Sequence, residues 1–499
     1  MRRKWSIGVA LWVGSLCSCE ALYGGYSIGN SNNCVVNTAL CTAPDQACNP
    51  LTRDCEPAIL VESADPPAAS TEGGDLLTLS GQRFSADLRV RIGGLDAGAV
   101  TLISDHSLSV VVPARADARG PMAIEVSHPA GQTVRKDGLF RYYEPTRFGS
   151  ASPVMLSFTP KYVRSIDCNR DGRTDLVMTD GFGSSVYALL AQADGSLSAP
   201  IGSTLASRAF GLALGDVNGD GIPDLAVSQT GPMSTIEVAL GTGTGTFVSS
   251  TSVTTQNTVG ALALGDVNAD GKADLAVSDD TKLRVWIGQG NGLFAASSQD
   301  TPLAYQAFAS GGHMLMRDLN GDAALDIITT NGIDLNFPIL FGDGKGAFSD
   351  VTSQIFPFGP SAISVADADA DGLPDILVAL NGNNPSASLM LQGPSRSFRP
   401  PILLSGSRNP HTVDLQDLNG DGVVDVLIFS AIAGSNSLAI LHAISPARYS
   451  APKIYALPPF PAAAVPLQLD ADSRPELFVV HRGAGGSGNF YSVLPNVTP

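Results

Sequence analysis

The sequence predicts an all-β chain, a small β-sandwich followed by a seven-bladed β-propeller. Three observations carry that expectation. One acidic loop recurs seven times at a spacing of about 50 residues, the period of a propeller blade. Each copy sits between short apolar runs, the best reading DVNGDGIPDLAV from Asp216, DVNADGKADLAV from Asp266 and DLNGDGVVDVLI from Asp417. Long amphipathic helical patterns are missing, and Gly, Asn, Asp and Ser separate the β-rich runs from residue 57 onward.

Taken in order, the chain opens with Arg2, Arg3 and Lys4 before an apolar stretch over residues 5–16, too short to span a bilayer. Leu16-Cys17-Ser18-Cys19 resembles a bacterial lipobox. Residues 1–18 therefore read as a lipoprotein signal peptide and Cys19 as the lipidated residue, with an ordinary signal peptide cut nearby as the alternative. The expected location is the bacterial envelope after export, with acyl chains holding the protein at the outer membrane or cell surface. Residues 19–33 are small and polar, a flexible tether. Over 34–56, Cys34, Cys41, Cys48 and Cys55 are evenly spaced, and in an oxidising compartment they predict two disulfides. Three pairings remain open. A zinc site is the rival reading, without the CxxC spacing usual for structural zinc. Cys168 is left over as a free thiol.

Residues 57–143 alternate apolar and polar over several short runs, among them Gly73 to Phe84, Ser107 to Ala114 and Pro121 to Gly131, a pattern that suits a small sandwich. The GGDLLTLSGQRF piece followed by VRIGG resembles the IPT/TIG family. That resemblance implies an immunoglobulin-like fold and a role as spacer or interaction module.

From residue 145 to 499 the repeat takes over. In the second unit, FGLALGD, LAVSQ, TIEVALG and a run ending near Val253 read as four strands. Residues after each glycine-rich turn (Leu197, Phe247, Phe294, Phe348, Phe398 and Tyr449) mark the fourth strand. No seventh marker follows, but Arg147-Phe148-Gly149-Ser150-Ala151 resembles Arg448-Tyr449-Ser450-Ala451. Residues 146–156 are therefore expected to close the ring as the outer strand of the last blade.

In the loop from Asp216, oxygens at Asp216, Asn218 and Asp220 converge because alternate residues point inward. Gly221 lets the chain swing and Asp224 closes the shell. An all-oxygen, anionic donor set suits Ca2+. Val227 stands where an EF-hand needs Glu, and the flanks are β-rich. The loops are instead similar to FG-GAP/VCBS repeats, the blades of integrin α-subunit propellers. The resemblance spans about 145–499 and implies calcium held between the first two strands of a blade. By it the ligands are Asp167, Asn169, Asp171 and Asp175 in the first loop, and Asp266, Asn268, Asp270 and Asp274 in the third. The fourth uses Asp318, Asn320, Asp322 and Asp326; the fifth, Asp367, Asp369, Asp371 and Asp375; the sixth, Asp417, Asn419, Asp421 and Asp425. Ala323 replaces the glycine of the fourth loop, which predicts weaker binding. The seventh aligns Gln468, Asp470, Asp472, Ser473 and Glu476 and is expected to stay empty, leaving five or six Ca2+ sites.

The formal charge is −17, and nearly half of the 47 acidic side chains occupy these loops. A nucleic-acid partner is excluded on that balance, since phosphate binding needs basic patches. No HExxH is present, no GxSxG is followed by suitable partners, no glycine-rich loop has the phosphate-binding form, and the six histidines are scattered. The expectation is a non-enzymatic, calcium-braced surface protein that recognises a protein or glycan; the resemblance implies contact on the face opposite the loops, with the turns 228–234, 330–337, 381–386 and 482–489 as candidates or else inert loops. A polysaccharide lyase-like enzyme is one alternative, requiring a basic cluster such as Arg164, Arg208 and His313. A structural envelope-assembly component is the other.

Overall fold

The computed structural model describes residues 46–48 and 55–498, apart from short segments at 117–119, 130–131, 151, 230–234, 256, 258, 308–312, 331–334, 383, 395, 433–434, 459–460, 470–473 and 484–487. Every regular element among the described residues is a strand. The segment read as a signal peptide, Cys19, the stretch read as a tether, Cys34 and Cys41 lie outside the described residues. Cys48 and Cys55 stand opposite one another in a two-stranded ladder, Gln46–Cys48 against Cys55–Pro57. The chain divides into two compact units, one ending at Pro145 and one running Thr146–Pro499.

The first unit is a sandwich. One sheet orders Leu60–Asp65, Leu76–Gln82, Ser107–Val111 and Val100–Ser104; the other orders Ala68–Ser70, Thr133–Tyr143, Gly120–Ser127, Arg89–Ile92 and Leu95–Asp96. Alternation decides what faces inward. In Leu76–Gln82, Leu77 and Leu79 are fully buried while Leu76 stays in solvent. These leucines pack with Val90, Ile92, Leu108, Ile124, Phe140 and Tyr142. The Tyr142 hydroxyl donates to the Pro113 carbonyl at 2.8 Å, so the buried ring keeps its polar end satisfied.

Among the described residues the second unit holds seven antiparallel sheets of three or four strands, beside small two-stranded ladders. The first is Pro160–Ile166, Asp175–Asp180, Ser185–Leu189 and Ile201–Thr204; the second is Ala209–Gly215, Asp224–Gln229, Thr235–Gly241 and Phe247–Thr254. The fourth, fifth and sixth begin at Met314–Arg317, Pro360–Ala366 and Thr412–Gln416. The seventh joins Pro461–Leu467, Glu476–His481 and Asn489–Leu494 to a strand from the start of the unit, Val154–Leu156. Met155 is in register with Phe490, and Phe148 bridges Asn496 beyond the strand. Each sheet packs on the next through its own apolar core, and the seventh packs on the first: Leu156, Phe158, Leu176 and Met178 meet Leu467, Phe478 and Tyr491. Second strands are covered on both sides, which is why DLAVSQ and DILVAL read as unbroken buried runs.

Two details depart from the four-strand expectation. The third sheet has three strands, because Asp274–Gly288 runs on through Asp279, Asp280 and Thr281, where no glycine or proline interrupts it. Its first part pairs with Val259–Gly265 and its second with Phe294–Ala307. The markers Phe247, Phe294 and Phe348 do open outer strands. Leu197, Phe398 and Tyr449 instead sit in small ladders, opposite Ala191, Gln392 and Ala443, and the outer strands start later, at Ile201, Ile402 and Lys453.

Candidate cation loops

Each loop leaves the inner strand of a sheet and enters the second. Its first aspartate accepts the backbone N–H of position six, at 2.9 Å for Asp167 to Gly172, 2.7 Å for Asp216 to Gly221 and Asp266 to Gly271, and 2.9 Å for Asp367 to Gly372. Asp318 and Asp417 do the same with Ala323 and Gly422. Position three folds inward: the amide oxygens of Asn169, Asn218, Asn268, Asn320 and Asn419 accept the N–H of Asp171, Asp220, Asp270, Asp322 and Asp421. Each of those aspartates, like Asp371, accepts the N–H of position seven. The residues at positions one, three and five are thus gathered by the loop's own backbone. Gathering requires two left-handed residues. Position six is glycine or Ala323 (φ 69°), and position four is Arg170, Gly219, Ala269, Gly321, Ala370 or Gly420, all with φ between 59° and 81°. The second was not anticipated; glycine at 219, 321 and 420 was its signal.

The aspartate at position nine stands apart. Asp175, Asp224, Asp274, Asp326, Asp375 and Asp425 are completely buried. One oxygen of each accepts the N–H of position two, from 2.8 Å at Leu319 to 3.2 Å at Leu418. The other accepts an N–H at or just past the end of the third strand, or in the third sheet at the end of the long strand Asp274–Gly288, from 2.7 Å at Gly288 to 2.9 Å at Gly342. One carboxylate therefore ties the loop and the third strand to the second strand that carries it. Glu476 keeps the first of these bonds, from Leu469 at 3.0 Å. Burial raises these six carboxyls, to about 6 at Asp326 and Asp375. A carboxylate oxygen has two acceptor positions; Oδ2 of Asp224 and Asp274 accepts one bond, whereas Oδ2 of Asp175, Asp326 and Asp375 accepts a second, from Cys168 Sγ, Asn320 Nδ2 and the Asp369 N–H.

The fifth loop fits a cation best. Asp367, Asp369 and Asp375 offer oxygens within 4.8 Å of one another. Oδ1 of Asp369 is buried without a hydrogen-bond partner, and burial beside Asp371 raises its carboxyl. Arg399 offsets part of that charge, at 2.9 Å from Asp369 and 3.5 Å from Asp371. Three converging oxygens, one without a partner, match a hard dication's coordination. In the sixth loop His442 adds a contact: Nε2 accepts the Thr146 N–H at 3.0 Å, which leaves the proton on Nδ1, 3.3 Å from Asp425. In the seventh, Asp470, Asp472 and Ser473 lie outside the described residues.

Other sequence candidates are placed as follows. Cys168 is buried, and its thiol donates to Asp175 at 3.1 Å; burial and that bond push its pKa far up, so it is no nucleophile. Arg164 lies close enough to His313 for its charge to act on it, and burial with that charge lowers the imidazole to about 3. Such a histidine is a poor general base. The turns expected to meet a partner, 228–234, 330–337, 381–386 and 482–489, include residues outside the described set.

The fold and its loops define a β-propeller of repeated acidic-loop blades behind an immunoglobulin-like sandwich. Residues 167–227, 266–329, 318–378 and 367–428 match the FG-GAP-like repeat model, and 209–247 the FG-GAP repeat model. Residues 60–142 match the IPT/TIG domain model. The chain carries an IPT/TIG domain followed by FG-GAP repeats, the make-up of a surface or adhesion-type protein built from recognition modules. No curated protein matches it. Among solved structures it is similar to an Agrocybe aegerita lectin described for specific recognition of non-reducing terminal N-acetylglucosamine (17% identity, TM-score 0.42, covering 67% of this chain and 94% of the lectin). It is also similar to the S. cerevisiae core factor (9% identity, TM-score 0.45, covering 70% of this chain and 61% of the other). Likenesses this distant leave function to the residues.

Proposed function

We propose that this is an exported, lipid-anchored surface protein whose calcium-braced ring recognises a protein or glycan outside the membrane. The observation that supports it is the sixfold recurrence of one all-oxygen loop, with the partnerless oxygen of Asp369 marking where a dication adds a bond. Calcium here is architectural. Carboxylates held a few ångströms apart repel, and a dication reverses that sign. Binding to the folded state alone stabilises it by mass action. Isothermal titration of the chelated protein with Ca2+ should give five or six sites, and EDTA should lower Tm by several degrees. A protein that takes up no calcium at millimolar concentration, with Tm unchanged by EDTA, refutes the bracing. The anchor is tested separately: Cys19→Ala should abolish incorporation of labelled palmitate and release the protein from membranes.

A further inference from the structure

Inner strands begin, and second strands end, at the mouth of the ring opposite the cation loops. There the charge reverses. Lys161 lies near the start of the inner strand Pro160–Ile166 with Arg164 buried deeper along it, Arg208 directly precedes Ala209–Gly215, and Arg482 directly follows Glu476–His481. Lys161 and Arg208 approach one ring: Nζ lies 4.1 Å, and the guanidinium carbon 5.1 Å, from the Phe210 centroid. Arg208 also lies 5.2 Å from Phe182, whose side chain is 77% exposed. Arg482 donates Nε to the Pro160 carbonyl at 3.1 Å, and Arg164 donates to Val163 at 3.0 Å.

Among the described residues none of these four cations is paired with a carboxylate, although the chain carries 47 acids against 30 bases. Asp180, at the end of the adjoining strand, closes a turn by accepting the Phe182 N–H at 3.0 Å. Nε of Arg208 is buried without a hydrogen-bond partner. Like charges held together without a counter-ion are unfavourable. Their mutual pressure is felt at Lys161, which burial, then Arg208 and Arg482, lowers to about 8.

We infer that this mouth binds an acidic polysaccharide, its carboxylate or sulfate groups meeting Lys161, Arg208 and Arg482 and its sugar rings lying on Phe182. The inference rests on the recognition reading above and names its ligand class. Cations contributed by three neighbouring sheets match charges repeated along a chain better than a single anion. Guanidinium forks suit planar carboxylates and sulfates. An exposed ring beside Arg208 offers sugar C–H groups an apolar surface that a plain anion site does not need.

The test is calorimetric titration of the full chain, in calcium, with oligosaccharides of hyaluronan, alginate and chondroitin sulfate, beside carboxyl-reduced hyaluronan as the neutral counterpart. At least one acidic series should bind, and carboxyl reduction should weaken binding about tenfold or more. Lys161→Gln with Arg208→Gln should weaken it about tenfold or more, and Arg482→Gln severalfold, at unchanged Tm. Lys345→Gln, on a remote turn, should leave it intact. Added NaCl should weaken it as screening sets in. Blank titrations with all three acidic series, equal binding of reduced hyaluronan, or no effect of the charge variants would overturn the inference. Equal binding of polyglutamate or single-stranded DNA would overturn the sugar assignment. The two readings separate on an array of neutral glycans and envelope proteins. Wild-type binding there with blank acidic titrations leaves recognition standing and removes this ligand; binding to nothing in either removes both.

Discussion

At the residue scale, position nine does work that ligand chemistry alone does not explain. Asp224 accepts from Val217 at 2.9 Å and Gly241 at 2.8 Å while fully buried. Asp224→Asn turns an amide donor toward one of those N–H groups and should cost about 1–3 kcal/mol even in EDTA, read by urea denaturation. Asp220→Asn, in the same loop, should leave the chelated protein nearly as stable and remove much of the gain from calcium. Equal losses in EDTA would show that the two positions are not distinct. Ala323 holds φ 69° where its counterparts are glycine, so Ala323→Gly should stabilise the fourth blade by about 0.5–1 kcal/mol. Lys161 carries a pH signature. Its folded pKa lies below the unfolded value, so between about 8 and 10.5 the unfolded chain holds the extra proton and stability rises slightly with pH. Over about pH 7 to 9 the folded side chain loses its charge, and affinity for acidic sugars should fall; a flat titration profile would remove Lys161 from the site.

At the scale of elements, the strand–loop–strand unit was legible because its chemistry is local. Asp216 to Asp224 announce converging oxygens, and DLAVSQ announces a doubly covered strand. The clamp was not legible: the partners of Asp224 at Gly241, and of Asp375 at Gln392, come from another strand, and spacing within the loop says nothing about them. Nor was the delayed start of the outer strands at Ile402 and Lys453. A phenylalanine or tyrosine after a turn looks the same whether it opens an outer strand, as Phe247 does, or closes a small ladder, as Phe398 and Tyr449 do. The basic mouth was half legible. Arg164, Arg208 and His313 stood out together, but Lys161, Phe210 and Arg482 join them only when strand ends from different blades meet. Among loops, the fifth should bind calcium most tightly, and Arg399→Gln should tighten it further by removing a competing cation, seen as a left-shifted calcium titration.

At the scale of the molecule, closure is the feature on which the ring depends. Val154–Leu156 covers the edge of Asn489–Leu494, and Arg147 donates its N–H to Thr498 Oγ1 across 351 positions of sequence. Deleting residues 146–156 bares that edge, so the variant should melt lower and associate with rising concentration, measured by calorimetry and light scattering. A monomer of unchanged Tm would refute the role of this strand. The same pairing sets a clock on biosynthesis. The opening strand leaves the ribosome before any other part of the ring, yet its partner emerges only after the six intervening sheets have been made. Until then the nascent chain carries an unpaired strand at one end and a growing edge at the other, so any chaperone that attends the nascent protein must shield both until residue 494 arrives.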